Sequence, residues 1–152
     1  MTHQRPEPSL KARALRLLAR REHSRQELAR KLSAHAAEGE DVEALLDELV
    51  KRGWLSDARY AEHAIRAKAR RFGPLKVTHE LRARGLDAET IAAGFRAAAA
   101  DGVSSMESVW RSRFHGTATD AREHARQARF LQGRGFALEE VLRFLKTMEK
   151  RT

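Results

Sequence analysis

The sequence predicts an all-α protein built from three tandem three-helix repeats, and three observations support this fold class. First, a short phrase returns after fifty residues: residues 81–86 read Leu-Arg-Ala-Arg-Gly-Leu and residues 131–136 read Leu-Gln-Gly-Arg-Gly-Phe. Second, apolar residues recur at helical spacing, and no segment shows the alternating pattern of a β-strand. Third, glycines stand singly where these apolar patterns stop, as helix ends require.

The repeated phrase indicates one small helical unit that is used more than once. In both copies an acidic residue and an aliphatic residue follow at the same distance, and a looser copy lies upstream at residues 27–32. Units of this kind cannot bury their apolar faces alone, so they stack and build a long surface that usually serves for binding. The predicted limits are a flexible arm over 1–8 and repeats over 9–55, 56–102 and 103–152.

In the first repeat, Ser24 and Glu27 form a capping box at the start of the second helix, where each side chain is expected to satisfy an orphan backbone donor. The third helix has the clearest amphipathic stripe, and Gly53 ends it. The apolar positions of the three helices are Leu10, Ala14, Leu17, Leu18, Leu28, Leu32, Val42, Leu45, Leu46, Leu49 and Val50.

In the second repeat, Ser56 is the expected cap of a helix that runs to about Arg71. Pro74 is well placed as the first residue of the next helix, because its missing N–H group would be unsatisfied there in any case. Gly85 ends that helix, and Asp87 caps the third. The apolar positions of this repeat include Val77, Leu81, Ile91 and Phe95.

The third repeat begins with a second capping box, formed by Ser104 and Glu107. Its other two helices are expected over about 120–133 and 137–148. The apolar positions that define these helices are Met106, Val109, Trp110, Phe114, Leu138, Val141, Leu142, Leu145 and Met148. Large aromatic residues near the unit boundaries, namely Trp54, Tyr60, Trp110 and Phe114, are expected to pack between successive repeats.

The composition points to an anionic partner. Thirty Lys and Arg residues against 21 Asp and Glu residues leave a net charge of +9, with arginine well ahead of lysine. Such a surface favours nucleic acid, an anionic membrane or an acidic protein. The absence of cysteine excludes disulfides and thiolate chemistry. Neither a signal peptide nor a membrane span is present in the pattern, so a soluble, cytoplasmic protein is expected.

Basic residues recur at helical spacing on the face opposite to the apolar residues of each repeat. The three stripes are Arg13, Arg16 and Arg20; Arg59, His63, Arg66 and Arg70; and Arg122, Arg126 and Arg129. Ordinary surface helices mix charges of both signs, whereas these stripes are nearly free of acids. Any single stripe is equally compatible with a plain solvated helix face. Three of them in one small chain favour a polyanionic or acidic partner.

No constellation in the sequence points to an enzyme, and none is expected. The seven histidines are scattered without metal-ligand spacing, so no metal and no cofactor are expected. Nucleophile motifs are missing as well. The Gly-x-Gly at residues 133–135 fits a helix end better than a dinucleotide-binding loop.

The central part of the chain resembles a known family. Residues 53–61 read Gly-Trp-Leu-Ser-Asp-Ala-Arg-Tyr-Ala, which is similar to the Gly-aromatic-Leu-x-Asp-x-Arg-aromatic-Ala signature of the RecX family, regulators of the RecA recombinase. The phrase at 81–86 and the Arg-Phe-Leu-Gln-Gly-Arg-Gly-Phe segment at 129–136 extend the resemblance to about residues 10–146. Trp54 and Ser56 depart slightly from the residues usual at those positions.

This resemblance implies an elongated, curved array of three-helix repeats that binds in the groove of the RecA filament on single-stranded DNA. It implies reduced RecA ATPase, strand exchange and co-protease activity, and a monomer is expected. The alternative is a stand-alone basic helical DNA-binding protein. The residues expected to contact the partner or DNA are Arg59, Arg66, Lys68, Arg70, Arg71, Lys76, Arg82, Arg84, Arg122, Arg126 and Arg129.

Overall fold

The computed structural model describes residues 6–102 and 106–151, and this part of the chain folds into nine α-helices without a β-strand. In chain order the helices are α1 (Leu10–Arg20), α2 (Arg25–Ser33), α3 (Val42–Lys51), α4 (Asp57–Lys68), α5 (Pro74–Ala83), α6 (Ala88–Ala100), α7 (Met106–Arg113), α8 (Ala121–Gly133) and α9 (Leu138–Lys150). The all-α prediction and the succession of three-helix units are confirmed.

Polar side chains begin most of these helices, as predicted. Ser24, Ser56 and Asp87 each accept a hydrogen bond from a backbone N–H group of the first turn, at 3.1, 3.2 and 2.8 Å. Pro74 is the first residue of α5, where its missing N–H group costs no helical hydrogen bond. The capping box predicted at Ser104 lies outside the described residues.

The repeated phrase forms the same helix end in two places. In α5 the N–H of Gly85 donates to Arg82 O at 2.9 Å and the N–H of Leu86 donates to Leu81 O at 3.2 Å. After α8 the residues at 135 and 136 repeat both bonds fifty positions later. This arrangement, with glycine in the left-handed region, satisfies carbonyl groups that the helix leaves free.

One predicted boundary is wrong, because α4 ends at Lys68 and residues 69–71 form turns. The chain turns at 69–71, and Gly73 is extended, as expected for a residue that precedes proline. Arg70 and Arg71 therefore do not extend the helical stripe of α4.

Each repeat contains its own hydrophobic core. Aliphatic side chains dominate the core between α1, α2 and α3, and aromatic side chains contribute strongly to the core between α7, α8 and α9. The middle core depends on close packing of α4 against α6. A Cβ atom at Gly94 would lie 2.8 Å from Ile65 Cδ1, so a larger residue would push these helices apart.

The repeats lie in a row rather than around a shared core. Every helix pair with substantial contact belongs to a single repeat. The accessible surface is 10427 Å², whereas a compact monomer of this mass would expose about 7,800 Å². This surface excess is that of an elongated molecule. The limits 9–55, 56–102 and 103–152 stay a prediction.

The expectation that the four large aromatic residues pack between repeats is wrong for three of them. Trp110 and Phe114 are buried within the core of their own repeat. Trp54 is 42% exposed, with the guanidinium of Arg52 5.2 Å from its ring centroid. Leu55, the next residue, takes the buried position instead.

Candidate partner-binding surface

The first and second repeats are joined through the ends of α2 and α5. Ser24, the cap of α2, donates its hydroxyl to the backbone carbonyl of Arg84 at 3.0 Å. Arg84 directly follows α5, so the carboxyl end of α5 meets the amino end of α2. Helix dipoles that meet in this order attract each other.

The second and third repeats are joined in the same way through α5 and α8. The N–H of Gly73, the cap of α5, donates to the carbonyl of Arg134 at 2.7 Å, and the N–H of Leu75 donates to Gly135 O at 2.9 Å. In both joints the acceptor is the arginine of the repeated phrase, and the donor is the cap residue of the preceding second helix. The phrase thus marks the contact from one repeat to the next.

Glycines allow the backbones to approach this closely. A Cβ atom at Gly73 would lie 2.6 Å from the carbonyl oxygen of Gly135, and a Cβ atom at Gly135 would lie 2.6 Å from Lys76 Cβ. Contacts of this length force atoms to move, so each position excludes a side chain.

Glu27 is the centre of charge at the first joint. Its carboxylate accepts from Arg21 at 2.7 Å and also faces Arg84 at 3.4 Å and Lys31 at 3.9 Å. The hydrogen bond from Arg21 holds the pKa of Glu27 below its ordinary value. Only half of the predicted capping box therefore forms: Ser24 caps the helix, whereas Glu27 binds cations, because charge-assisted bonds are stronger than a bond to a neutral amide.

The signature residues at 53–61 also belong to this joint. Asp57 accepts a hydrogen bond at 2.7 Å from the backbone N–H of Arg25, at the start of α2. Arg59 donates to Glu22 at 2.9 Å and to the carbonyl of Gly53 at 2.7 Å. Both side chains of the second repeat thereby hold the first repeat in place.

His23 is buried beside the joint and is held in its neutral form. Its Nδ1 lies 3.1 Å from the carbonyl of Arg21, and its Nε2 lies 3.1 Å from Lys31 Nζ. A carbonyl can only accept and an ammonium can only donate, so Nδ1 carries the proton and Nε2 accepts. Burial lowers the pKa of His23 below its ordinary value.

Six of the eleven predicted contact residues have partners within the chain. Arg59 and Arg84 bind carboxylates across the first joint. Within single repeats, ion pairs join Arg66 to Asp101, Lys68 to Glu80 and Arg126 to Glu123. The sixth, Lys76, lies over the ring of Phe72 at 4.6 Å.

The expectation that the arginine stripes are nearly free of acids is therefore wrong in part. Glu123 lies on the same helix as Arg126. Glu22 and Asp101 reach Arg59 and Arg66 from other segments, which counting along one helix does not detect. Such exposed pairs contribute at most about 1 kcal/mol, so a strong external partner is able to replace them.

The other five predicted residues are exposed and form no ion pair with any residue that the structure describes. They are Arg70, Arg71, Arg82, Arg122 and Arg129. Arg122 and Arg129 lie seven residues apart on α8 and share one helix face. The opposite face of α8 buries Gln127, Ala128 and Leu131. The third repeat therefore presents two guanidinium groups without an ion-pair partner among the described residues on one face of α8, about two helical turns apart.

A second group of basic side chains lines a cleft in the first repeat. The cleft has a volume of about 450 Å³ and lies between α1 and α2. Its basic residues are Arg13, Arg16, Arg20, Lys31 and His35. The arginines form one of the stripes seen in the sequence, but Lys31 and His35 join them only in the folded chain.

The described residues contain no group of three or more histidine or acidic side chains that is arranged to hold a metal ion. Across the same residues, no helix combines the length and apolar character needed to cross a membrane.

Three-helix repeats joined end to end through their second helices define a class of tandem helical-repeat proteins. The chain belongs to the RecX family. The model of the first RecX three-helix domain matches residues 11–49, and that of the second matches residues 56–94.

Relatives of similar sequence agree with this family, and a solved structure shares the fold. The chain is 44% identical over 146 residues to the regulatory protein RecX of Leptothrix cholodnii, covering 96% of this chain and 93% of the relative. It is 43% identical to the regulatory protein RecX of Herminiimonas arsenicoxydans, covering 93% and 94%. The crystal structure of RecX from Lactobacillus salivarius shares the fold with a TM-score of 0.70 at 18% identity, covering 91% of this chain and 95% of the other.

Proposed function

We propose that this protein binds the RecA filament on single-stranded DNA and lowers its ATPase, strand-exchange and co-protease activities, acting as a regulator and not as an enzyme. Membership of the RecX family supports the partner. The docking mode is supported by the exposed arginines that form no ion pair with any described residue. Among them, Arg122 and Arg129 share one face of α8.

In this proposal the repeats keep the arginines at a fixed spacing along the protein. A filament presents the same acidic and phosphate groups at regular intervals, and a row of repeats presents arginines at intervals of its own. The backbone bonds of both joints hold these intervals constant. Because little needs to be ordered on binding, weak single contacts add up to useful affinity.

The guanidinium groups suit this role chemically. Their planar donors bind carboxylates and phosphates in pairs, and they remain charged at any physiological pH. Arg70, Arg71 and Arg82 supply further cations from the second repeat. The paired residues Arg59 and Arg84 would contribute chiefly by holding the first joint.

The direct experiment adds the protein to preformed RecA filaments on single-stranded DNA and follows ATP hydrolysis, with DNA binding in the absence of RecA measured in parallel. The proposal expects hydrolysis to fall at ratios well below one protein per RecA monomer. Unchanged hydrolysis together with tight duplex binding by the protein alone would contradict it and favour a stand-alone DNA-binding protein.

A further inference from the structure

The basic cleft of the first repeat is a separate site with chemistry of its own. Arg13, Arg16 and Arg20 line one wall from α1, and Lys31 and His35 line the other. Leu17, Leu32 and Ala34 complete the lining, and Leu32 is fully buried. No acidic residue is among the residues that line the cleft.

Several other basic residues of the same repeat do have acidic partners. Lys11, Arg25 and Arg52 all bind carboxylates of α3. Arg13, Arg16 and Arg20 have no such partner among the described residues, although they stand three and four positions apart. Like charges at this spacing repel one another and weaken the helix. A bound anion would relieve that repulsion.

The lining decides between two kinds of anionic ligand. Single-stranded nucleic acid usually binds where large aromatic rings stack on the bases, and no Phe, Tyr or Trp is among the residues that line this cleft, whose one ring is the imidazole of His35. The accessible apolar surface of Leu17 and Ala34 instead accepts an aliphatic side chain, while arginines bind carboxylates in pairs. We infer that the cleft binds an acidic segment of a partner protein, which places an aliphatic side chain against Leu17 and Ala34 and carboxylates against the three arginines.

The inference does not rest on RecA, so it is tested without RecA. The probe is a blocked synthetic peptide in which glutamates surround two leucines one helical turn apart. Binding is followed by calorimetry and by changes in the ¹H–¹⁵N spectrum. We expect binding that shifts the amide signals of α1 and α2, and a loss of affinity of about tenfold when both leucines of the peptide become serine.

Charge-reversal variants test whether the peptide binds in the cleft. The variant R16E/R20E is expected to lose at least about tenfold in peptide affinity, whereas R96E/R143E, with the same change in net charge on exposed residues elsewhere, should bind like the parent. If R16E/R20E unfolds at a lower temperature than the parent, peptide binding is measured with the single variant R16E instead. It should melt no lower than the parent, since the substitution places a carboxylate between Arg13 and Arg20.

Four results would overturn the inference. The first is no peptide binding, and the second is equal binding of the leucine and serine peptides. The third is binding of oligothymidine, and not of the peptide, that is lost in R16E/R20E, because this would make the cleft a nucleic-acid site. Loss of peptide binding in R96E/R143E to the same degree would show that net charge alone is responsible.

Discussion

At the scale of single residues, the joints depend on backbone atoms that only small residues leave accessible. Gly73 donates its N–H across the second joint, and the chain at Gly135 lies against it. At the first joint the hydroxyl of Ser24 fulfils the same role toward Arg84. The donor differs between the joints, but the acceptor is the same carbonyl of the repeated phrase.

Replacing Gly73 by alanine tests this contact without a backbone penalty, because the φ angle of Gly73 is −88°. The added methyl group would meet the carbonyl of Gly135 at 2.6 Å, so we expect a loss of about 1–3 kcal/mol in the free energy of unfolding. Urea unfolding measures it. Gly116→Ala is the matched control, since nothing lies within 4 Å of the added atom. Equal stability of the two variants would mean that the second joint is not close-packed.

His23 predicts a pH dependence of stability. Its pKa is lowered from the ordinary value of 6.5 by burial, so the unfolded chain binds the proton more readily than the folded chain. The free energy of unfolding should therefore fall as the pH drops below 6.5. His23→Gln should flatten this slope between pH 6.5 and 4.5, whereas protonation of Glu27 acts below 4.5. An unchanged slope in the variant would show that another group is responsible.

At the scale of helices, each second helix contributes a core leucine and a joint. Leu81 of α5 is 2% exposed and Leu131 of α8 is 0% exposed, and each accepts the hydrogen bond that closes its helix end. The same short phrase therefore fills the core, ends the helix and contacts the preceding repeat.

Alanine at either leucine should lower the free energy of unfolding by about 2–5 kcal/mol, because each substitution leaves a cavity. Leu75, 59% exposed on α5, is the control and should cost less than about 1 kcal/mol. Chemical denaturation monitored by circular dichroism measures all three. Losses below about 1 kcal/mol at both core positions would contradict the equivalence of the repeats.

The helices themselves were predictable from the sequence because their signals are local. Ser56 and Asp87 start helices through hydrogen bonds to residues three positions away, and Pro74 does so through its fixed backbone angle. The end of α4 was misplaced because helical periodicity continues through Arg70, and only the approach to Pro74 turns the chain earlier. The exposure of Trp54 was missed for a similar reason, since its neighbour Leu55 competes for the same core.

At the scale of the whole molecule, charge is organised by contacts between segments that are distant in sequence. Arg59 binds Glu22 and Arg66 binds Asp101, 37 and 35 positions away along the chain. Periodicity along one helix gives no information about such partners, so paired and unpaired arginines look alike in the sequence. Only the folded structure shows that Arg122 and Arg129, unlike Arg59 and Arg66, have no ion-pair partner among the described residues.

The cleft of the first repeat shows the same limit. The sequence revealed Arg13, Arg16 and Arg20 as a stripe, but it gave no reason to prefer them as a site. The folded chain adds Lys31 and His35 from the second wall. Binding surfaces of repeat proteins are assembled from neighbouring helices in this way, which is why their composition is hard to predict from periodicity alone.

The central claim is that unpaired arginines, held at fixed intervals by the joints, dock the protein on the RecA filament. The most direct test measures inhibition of RecA ATP hydrolysis by R122E/R129E beside R96E/R143E, whose arginines bind Glu89 and Glu139 in the parent. Circular dichroism and melting should confirm that both variants fold.

We expect R122E/R129E to need about ten times more protein for half-inhibition, since two charge contacts become repulsive, while R96E/R143E inhibits like the parent. Full inhibition by R122E/R129E would contradict the claim, as would equal weakening of the two variants, because net charge alone would then explain the binding.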